Sequence, residues 1–364
     1  MHTALAVLAA ASPLAAADAP ADPVVGAIRW DAWRAGSEWE QNLSPKQWHG
    51  RVPFYGRIVG EEAVEVAADS QEVMDQEIAY ASAAGLDYWA YCFNLDGEGQ
   101  IPATEYAVRL HLASARRTDV HVCFVLMSQG WWGPKEEWSR AAEAYAGFFR
   151  DEAYQKVLGN RPLLYIFYVD KLPEYFGSVE ATRAGLEMIR AKSVEAGLGP
   201  AYIVAQVWGA ESGAKCVDEM GFDAISAYAW ADFSHGDQGY PYSTLAAANQ
   251  AYWEACRATG KPAVPIVSAG WDSRPRWRDP KRYEELYQSP PHGPWYEQPT
   301  PQELADNLRA AVAWNRAHPD CAEANAVIMY AWNENDEGGW LVPTLSEGTA
   351  RLDAIREVLR PGTP

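Results

Sequence analysis

Two glutamates, Glu334 and Glu337, stand three residues apart in the stretch Met329-Tyr330-Ala331-Trp332-Asn333-Glu334-Asn335-Asp336-Glu337-Gly338-Gly339-Trp340. An apolar run ends at Trp332, and the Gly338-Gly339 pair then turns the chain. Carboxylates so spaced can face one cleft from a single loop. Such a pair suits a proton donor working opposite a proton acceptor. Their mutual repulsion raises the pKa of one member, the condition for an acid at neutral pH. The same spacing also suits a solvated acidic loop whose carboxylates cap the following turn.

Residues just past the other apolar runs share this character. They are Asp31 and Trp33, Asn94 and Asp96, Gln129 with Trp131 and Trp132, Asp170, Glu211, Trp230 and Asp232, and Trp271 with Asp272. The set holds one nearby histidine (His235) and no cysteine, so a zinc or Cys-His mechanism lacks its parts. No phosphate-binding Gly-Lys loop and no G-x-S-x-G elbow is present. What remains is carboxylate chemistry beside aromatic faces, the means by which glycosidic bonds are cut. No metal and no cofactor are expected. Around Glu334 and Glu337 the substrate-binding set is read as Trp30, Asp31, Tyr91, Asn94, Asp170, Trp208, Tyr228, Trp271, Asp272, Arg276, Trp332, Asn333 and Trp340. The indoles serve either as stacking platforms or as packing at the strand ends. Asp272 with Arg276 either holds a sugar hydroxyl or forms a structural ion pair. Asp170 and Asp272 are a rival catalytic pair. A cleft lined by these acids favours a neutral or cationic substrate.

The elements that must position these residues follow one rhythm. Apolar β-rich runs at Val24–Trp30, Leu86–Phe93, Val120–Met127, Pro162–Tyr168, Ala201–Trp208, Phe222–Tyr228, Ala263–Ala269 and Ala326–Trp332 alternate with amphipathic helical segments. The helices are predicted at Ser70–Ala84, Thr104–Arg117, Glu136–Arg150, Val179–Ala196, Ser212–Met220, Thr244–Thr259, Pro301–Ala317 and Glu347–Leu359. Eight such units imply an α/β fold, a single (β/α)₈ TIM barrel over residues 18–364. Helix-to-strand joins are brief, whereas the strand-to-helix loops Asp31–Asp69 and Trp271–Thr300 are long and fall on the face where barrels build active sites. A doubly wound sheet would show a glycine-rich turn after its first strand. Here Trp30-Asp31-Ala32-Trp33 holds no glycine, and the barrel is favoured.

Composition agrees. The 364 residues carry 17 Trp and 19 Tyr against 9 Phe, and rings with polar edges match the mixed apolar and hydroxylated faces of sugars. The formal charge of -19 disfavours nucleic acid and anionic membrane surfaces as partners. The oligomeric state is not readable. The apolar run Thr3–Ala17, ending in three alanines, predicts a signal peptide over residues 1–17 and a secreted or periplasmic protein, although a positive n-region is missing. No later segment is long and apolar enough to cross a membrane. Five scattered cysteines argue against a disulfide scaffold; Cys92 and Cys123 fall in consecutive strands and are read as buried free thiols.

Four stretches resemble the WbsX-like proteins and their relatives, the endo-α-mannosidases of glycoside hydrolase family 99. Asn333–Gly338 followed by Trp340-Leu341-Val342-Pro343-Thr344 resembles the N-E-W-x-E-G…E-P-T ending of that group. Met74–Ile78 through Ala84–Trp89 resembles its helix and A-G-I-D-x-F unit. Gly270–Arg276 resembles its G-x-D-N-x-P-R loop, and Asn160–Leu164 its G-R-P strand entry. The resemblance runs from about residue 26 to 345. It implies a retaining hydrolase in which Glu334 is the base on the substrate's 2-hydroxyl and Glu337 the general acid, with a 1,2-anhydro sugar between. Asn335-Asp336 stand where the group has Trp-His or Trp-Gly, so its stacking residue between the glutamates is missing. Membership of the WbsX branch implies the alternative of a glycosyltransferase-related or sugar-binding protein of polysaccharide assembly.

Overall fold

The computed structural model describes residues 22–37, 39–96, 98–102, 104–127, 134–287 and 290–362. The expected signal peptide and the Trp131-Trp132 pair lie outside these residues. Eight parallel strands carry the architecture: β1 (Val24–Arg29), β2 (Tyr88–Cys92), β3 (His121–Met127), β4 (Arg161–Phe167), β5 (Tyr202–Gln206), β6 (Ala224–Ser226), β7 (Ile266–Ser268) and β8 (Ala326–Tyr330). Their order is β7-β8-β1-β2-β3-β4-β5-β6, and an Ile225–Ala263 bridge joins the two edges into a nearly closed barrel. Each strand is buried almost throughout, which is why it reads as a continuous apolar run rather than an alternating one.

Inside the barrel the Tyr88 hydroxyl meets that of Tyr165 at 2.8 Å and donates to the Val327 carbonyl at 3.1 Å. Gly26 makes room for this ring, because a Cβ there would lie 2.3 Å from Tyr88. Around the barrel, helices start and stop where their caps dictate. Ser70 Oγ accepts from the Val73 amide ahead of helix Gln71–Ala84, and Gly85 closes that helix at φ 86°. Thr300 and Glu303 form a capping box on helix Pro301–Ala317, with Pro301 in its first turn.

The eight strands and eight helical segments read from the sequence are all present, most of them trimmed by one to four residues at their ends. The long loops hold more structure than the sequence suggested. Residues 31–69 fold into two 3₁₀ turns and the hairpin Gly56–Gly60/Ala63–Val66, over a small core that includes Trp33, Leu43, Val52 and Val64. The loop after β7 holds a 3₁₀ turn at Arg274–Arg278 and a short helix at Pro280–Tyr287. All five cysteines are free; Cys92 lies across from Val125, and Cys123 across from Ala90. Among the described residues no helix is long and apolar enough to cross a membrane.

Candidate active site

After β8 the chain makes a tight antiparallel pair in which Asn333 faces Trp340 and Glu334 faces Gly339. Four residues, Asn335 to Gly338, form the turn. The Glu337 amide donates to the Glu334 carbonyl at 3.1 Å, and Gly338 takes φ 86°, which suits glycine. This turn brings the two glutamates together at the C-terminal end of the barrel. Both are buried, with 2 % and 7 % of their surface exposed.

One guanidinium holds them. Arg276 Nη2 donates to Glu334 Oε2 at 3.1 Å, and Arg276 Nη1 donates to Glu337 Oε1. Its Nε also donates to Asp336 Oδ2 at 2.8 Å. Each glutamate has a tyrosine as well. The Tyr228 hydroxyl donates to Glu334 Oε1 at 2.6 Å, and the Tyr330 hydroxyl donates to Glu337 Oε2. Burial and the adjacent Glu337 charge push the Glu334 pKa well above the ordinary glutamate range, while Arg276 and Tyr228 offset this only in part. Burial also raises both tyrosines well above their usual value, so their hydroxyls remain donors.

Behind the turn runs a second polar chain. Asn333 accepts from the Trp30 amide at 3.0 Å and donates to Asp31 Oδ1 at 3.1 Å. Asp31 is held by Arg29 at 2.9 Å. Arg29 also bonds Glu77 Oε2 at 2.7 Å, and Glu77 Oε1 accepts from the Trp332 indole at 2.8 Å. Burial raises the pKa of Glu77 and of Asp31 despite the neighbouring Arg29 charge.

Asp272 takes a different place from the one expected. It does not pair with Arg276; Arg274 binds its two oxygens at 2.7 and 2.9 Å, and Arg51 also donates to its Oδ2. Burial opposes the charge of Asp272, but the Arg274 hydrogen bonds and the two guanidinium charges outweigh it and hold its pKa below the usual range. The sequence missed this because Asp272 and Arg276 share one loop but face opposite sides of it.

Other expected site residues also separate. Trp332 is fully buried and Trp340 nearly so, the latter beneath the Arg351 guanidinium at 3.9 Å, so both are wall residues rather than open platforms. Tyr91 is buried with its hydroxyl 2.8 Å from His111 Nδ1, and both functional atoms of the Asn94 amide bond the Met127 backbone. Asp170 is exposed on the 3₁₀ turn after β4, whereas Asp272 is buried. Trp30 lies at the centre, 5.3 Å from the Arg276 guanidinium carbon, and Trp39 covers the same group at 4.9 Å. Trp271 is half-buried, 5.8 Å from the Tyr330 ring, and Trp208 is exposed. Among the described residues the two glutamates sit buried at the centre of the site. Among the described residues, neither the cavity beside Arg51, Arg274 and Trp295 nor the one beside Trp208 and Phe233 is lined by Glu334 or Glu337.

Sequence reasoning missed Tyr330, Arg51 and Glu77 as site residues. Tyr330 sits in the apolar strand run, where nothing distinguished it from core. Arg51 and Glu77 come from elements 284 and 255 positions before the groups they touch, Asn335 and Trp332. Among the described residues, no group of three or more His, Cys, Asp and Glu is arranged to hold a metal ion.

Parallel strands, intervening helices and carboxylates at the strands' C-terminal ends define a (β/α)₈ barrel with its polar site on the face where such barrels build active sites. The WbsX glycosyltransferase family model matches residues 115–355, well over half of the chain, and the chain belongs to that family. This is the group to which the four sequence stretches pointed. Two solved structures of the GH99 endo-α-mannosidase from Bacteroides thetaiotaomicron are similar to it. One, in complex with bis-tris-propane, has a TM-score of 0.57 at 13% identity, covering 92% of this chain and 94% of that one. The other has a TM-score of 0.57 at 12% identity, covering 92% and 95%. Likeness at this identity shows a shared fold. None of the curated proteins matches the chain.

Proposed function

We propose that this chain is a retaining glycoside hydrolase that cuts O-glycosidic bonds of a poly- or oligosaccharide through Glu334 and Glu337. The observation that carries this reading is the buried Arg276 shared by both glutamates, each of them also held by its own tyrosine hydroxyl. Family membership and the glycosidase-like fold support it.

In the first step Glu334 takes the proton of the substrate's 2-hydroxyl, and that oxygen attacks C1. The bond from C1 to the leaving oxygen breaks, and Glu337 delivers its proton there. A 1,2-anhydro sugar results. In the second step Glu337 takes a proton from water, the water oxygen attacks C1, and the bond from C1 to O2 breaks. Glu334 returns its proton to O2. Two inversions at C1 leave the configuration retained. The raised pKa expected of the acid falls on Glu334, which therefore serves as base only once it has lost its proton. In each step one glutamate gains a proton as the other loses one. The summed charge around Arg276 therefore stays constant, and no new buried charge has to be created, a cost of several kcal/mol per ion.

The test is release of reducing ends from a panel of polysaccharides by wild type, Glu334→Gln and Glu337→Gln, with the product anomer read by NMR. Retention in the wild type and loss in both variants is expected. An inverted product, or variants as active as wild type, overturns the assignment. The family's glycosyltransferase description favours a second reading, transfer from a nucleotide sugar. Calorimetric titration with nucleotide sugars separates the two, since the hydrolase reading predicts no binding.

A further inference from the structure

Five aromatic contacts tie an exposed pocket to the two glutamates. Trp208 and Phe233 are among the most exposed large apolar side chains of the described residues, at 50 % and 46 %, and their rings meet edge to face at 5.5 Å. With Trp230, Asp232 and Ser234 they line a cavity of about 440 Å³, within the ~300–1,000 Å³ usual for small-molecule sites. From Trp208 one path of rings runs through Phe167 (5.9 Å) to Tyr228 (4.6 Å, stacked), the tyrosine that bonds Glu334. From Phe233 another runs through Trp271 (5.4 Å) to Tyr330 (5.8 Å), the tyrosine that bonds Glu337. The pocket thus opens on the face that carries the carboxylates and shares one aromatic wall with them.

Its chemistry selects the occupant. Exposed ring faces offer stacking to a flat apolar surface, while Asp232 and Ser234 at the rim offer hydrogen bonds. A pyranose presents a C–H face and a hydroxyl edge together. The Ser234 hydroxyl chiefly lowers the pKa of the Asp232 carboxyl, and among the described residues no Lys or Arg lines the pocket. An anionic sugar finds the Asp232 carboxylate there, with only His235, 3.4 Å from it, to offset the repulsion. We propose that the Trp208–Phe233 pocket is a distal subsite that stacks a neutral pyranose of the substrate chain, away from the bond being cut. The proposal rests on the hydrolase reading and deepens it, since it commits the substrate to a neutral oligosaccharide long enough to reach both places.

The experiment measures binding by calorimetry in the Glu337→Gln background, which stops turnover. The probes are neutral gluco-, manno- and galacto-oligosaccharides of two to six residues, with uronate oligomers of the same lengths. Trp208→Ala should weaken binding of the best neutral hexasaccharide by about threefold to tenfold, the factor that ~0.5–1.5 kcal/mol of ring stacking corresponds to. Trp208→Phe should restore part of it. Trp208 is half exposed, and an unchanged thermal midpoint in both variants shows that the fold is intact. Unweakened binding in Trp208→Ala overturns the proposal. So does tighter binding of uronate than of neutral oligomers, or failure of every probe to bind. Binding that depends on Trp208 in a protein that releases no reducing ends supports the subsite and overturns the hydrolase reading alone.

Discussion

Arg276 sets the electrostatic balance of the site, because three carboxylates, Glu334, Asp336 and Glu337, converge on its single positive charge. That excess of negative charge, together with burial, is what raises Glu334. Glu334 must be ionised to accept a proton, so kcat/KM should fall on acidification with a midpoint well above the ~4.3 of an ordinary glutamate. Tyr228 donates to the charged form and lowers that pKa, so Tyr228→Phe should move the acid limb to still higher pH. A pH–rate profile checks both signs; a wild-type limb at the ordinary value, or a downward shift in the variant, counts against them. At this scale the sequence revealed the glutamates, because their spacing and the surrounding stretch are local. It set Arg276 beside Asp272, to hold a sugar hydroxyl or to form an ion pair, and could not show that Arg276 holds the glutamates instead, because a guanidinium on a flexible stem chooses its partner through the fold.

The turn after β8 is held from two sides. Against β7, Gly338 and Gly270 pack backbone to backbone: a Cβ on Gly270 would lie 2.1 Å from the Gly338 carbonyl oxygen, and one on Gly338 would lie 2.5 Å from the Asp272 amide. Gly338→Ala should therefore cost at least the ~1–2 kcal/mol of a left-handed L-residue and reduce turnover by displacing Glu337. Urea unfolding and steady-state kinetics measure the two effects, and unchanged values in both would refute the close-packing argument. Against helix Gln71–Ala84, the Arg29–Glu77 pair clamps Trp332 and, through Asp31, Asn333. Arg29→Met leaves buried acids uncompensated and should cost ~3–5 kcal/mol, read as a lower urea midpoint; a loss below ~1 kcal/mol would mean the pair is dispensable. Barrel strands were legible because burial on both faces gives them continuous apolar runs. The hairpin within residues 31–69 was not, because Gly56–Gly60 is largely exposed and is held by its pairing rather than by an apolar pattern.

Across the whole molecule, a formal charge of -19 adds to the acids at the centre. Such a field repels anionic chains and weakens with salt. Neutral glycans should be cleaved faster than uronate-rich or sulfated ones, and the gap should narrow as ionic strength rises. Faster cleavage of a sulfated glycan at low salt would contradict this. The barrel followed from the rhythm of the chain, and the position of the acidic turn after the eighth strand followed from the barrel. The packing of Trp30 and Trp39 over Arg276 was beyond reach, because it brings the ends of β1 and β7 together with a turn inside residues 31–69.

The division of labour between the glutamates is the central claim, and a glycosyl fluoride tests it most directly. Fluoride leaves without protonation, so an enzyme lacking its acid still completes the first step. Glu337→Ala should lose polysaccharide cleavage yet still release fluoride in the first step, with added azide standing in for activated water in the second, whereas Glu334→Ala should lose both, and the wild type should not act on the 2-deoxy fluoride. Full polysaccharide activity in either variant, or rapid wild-type turnover of the 2-deoxy compound, would contradict the account.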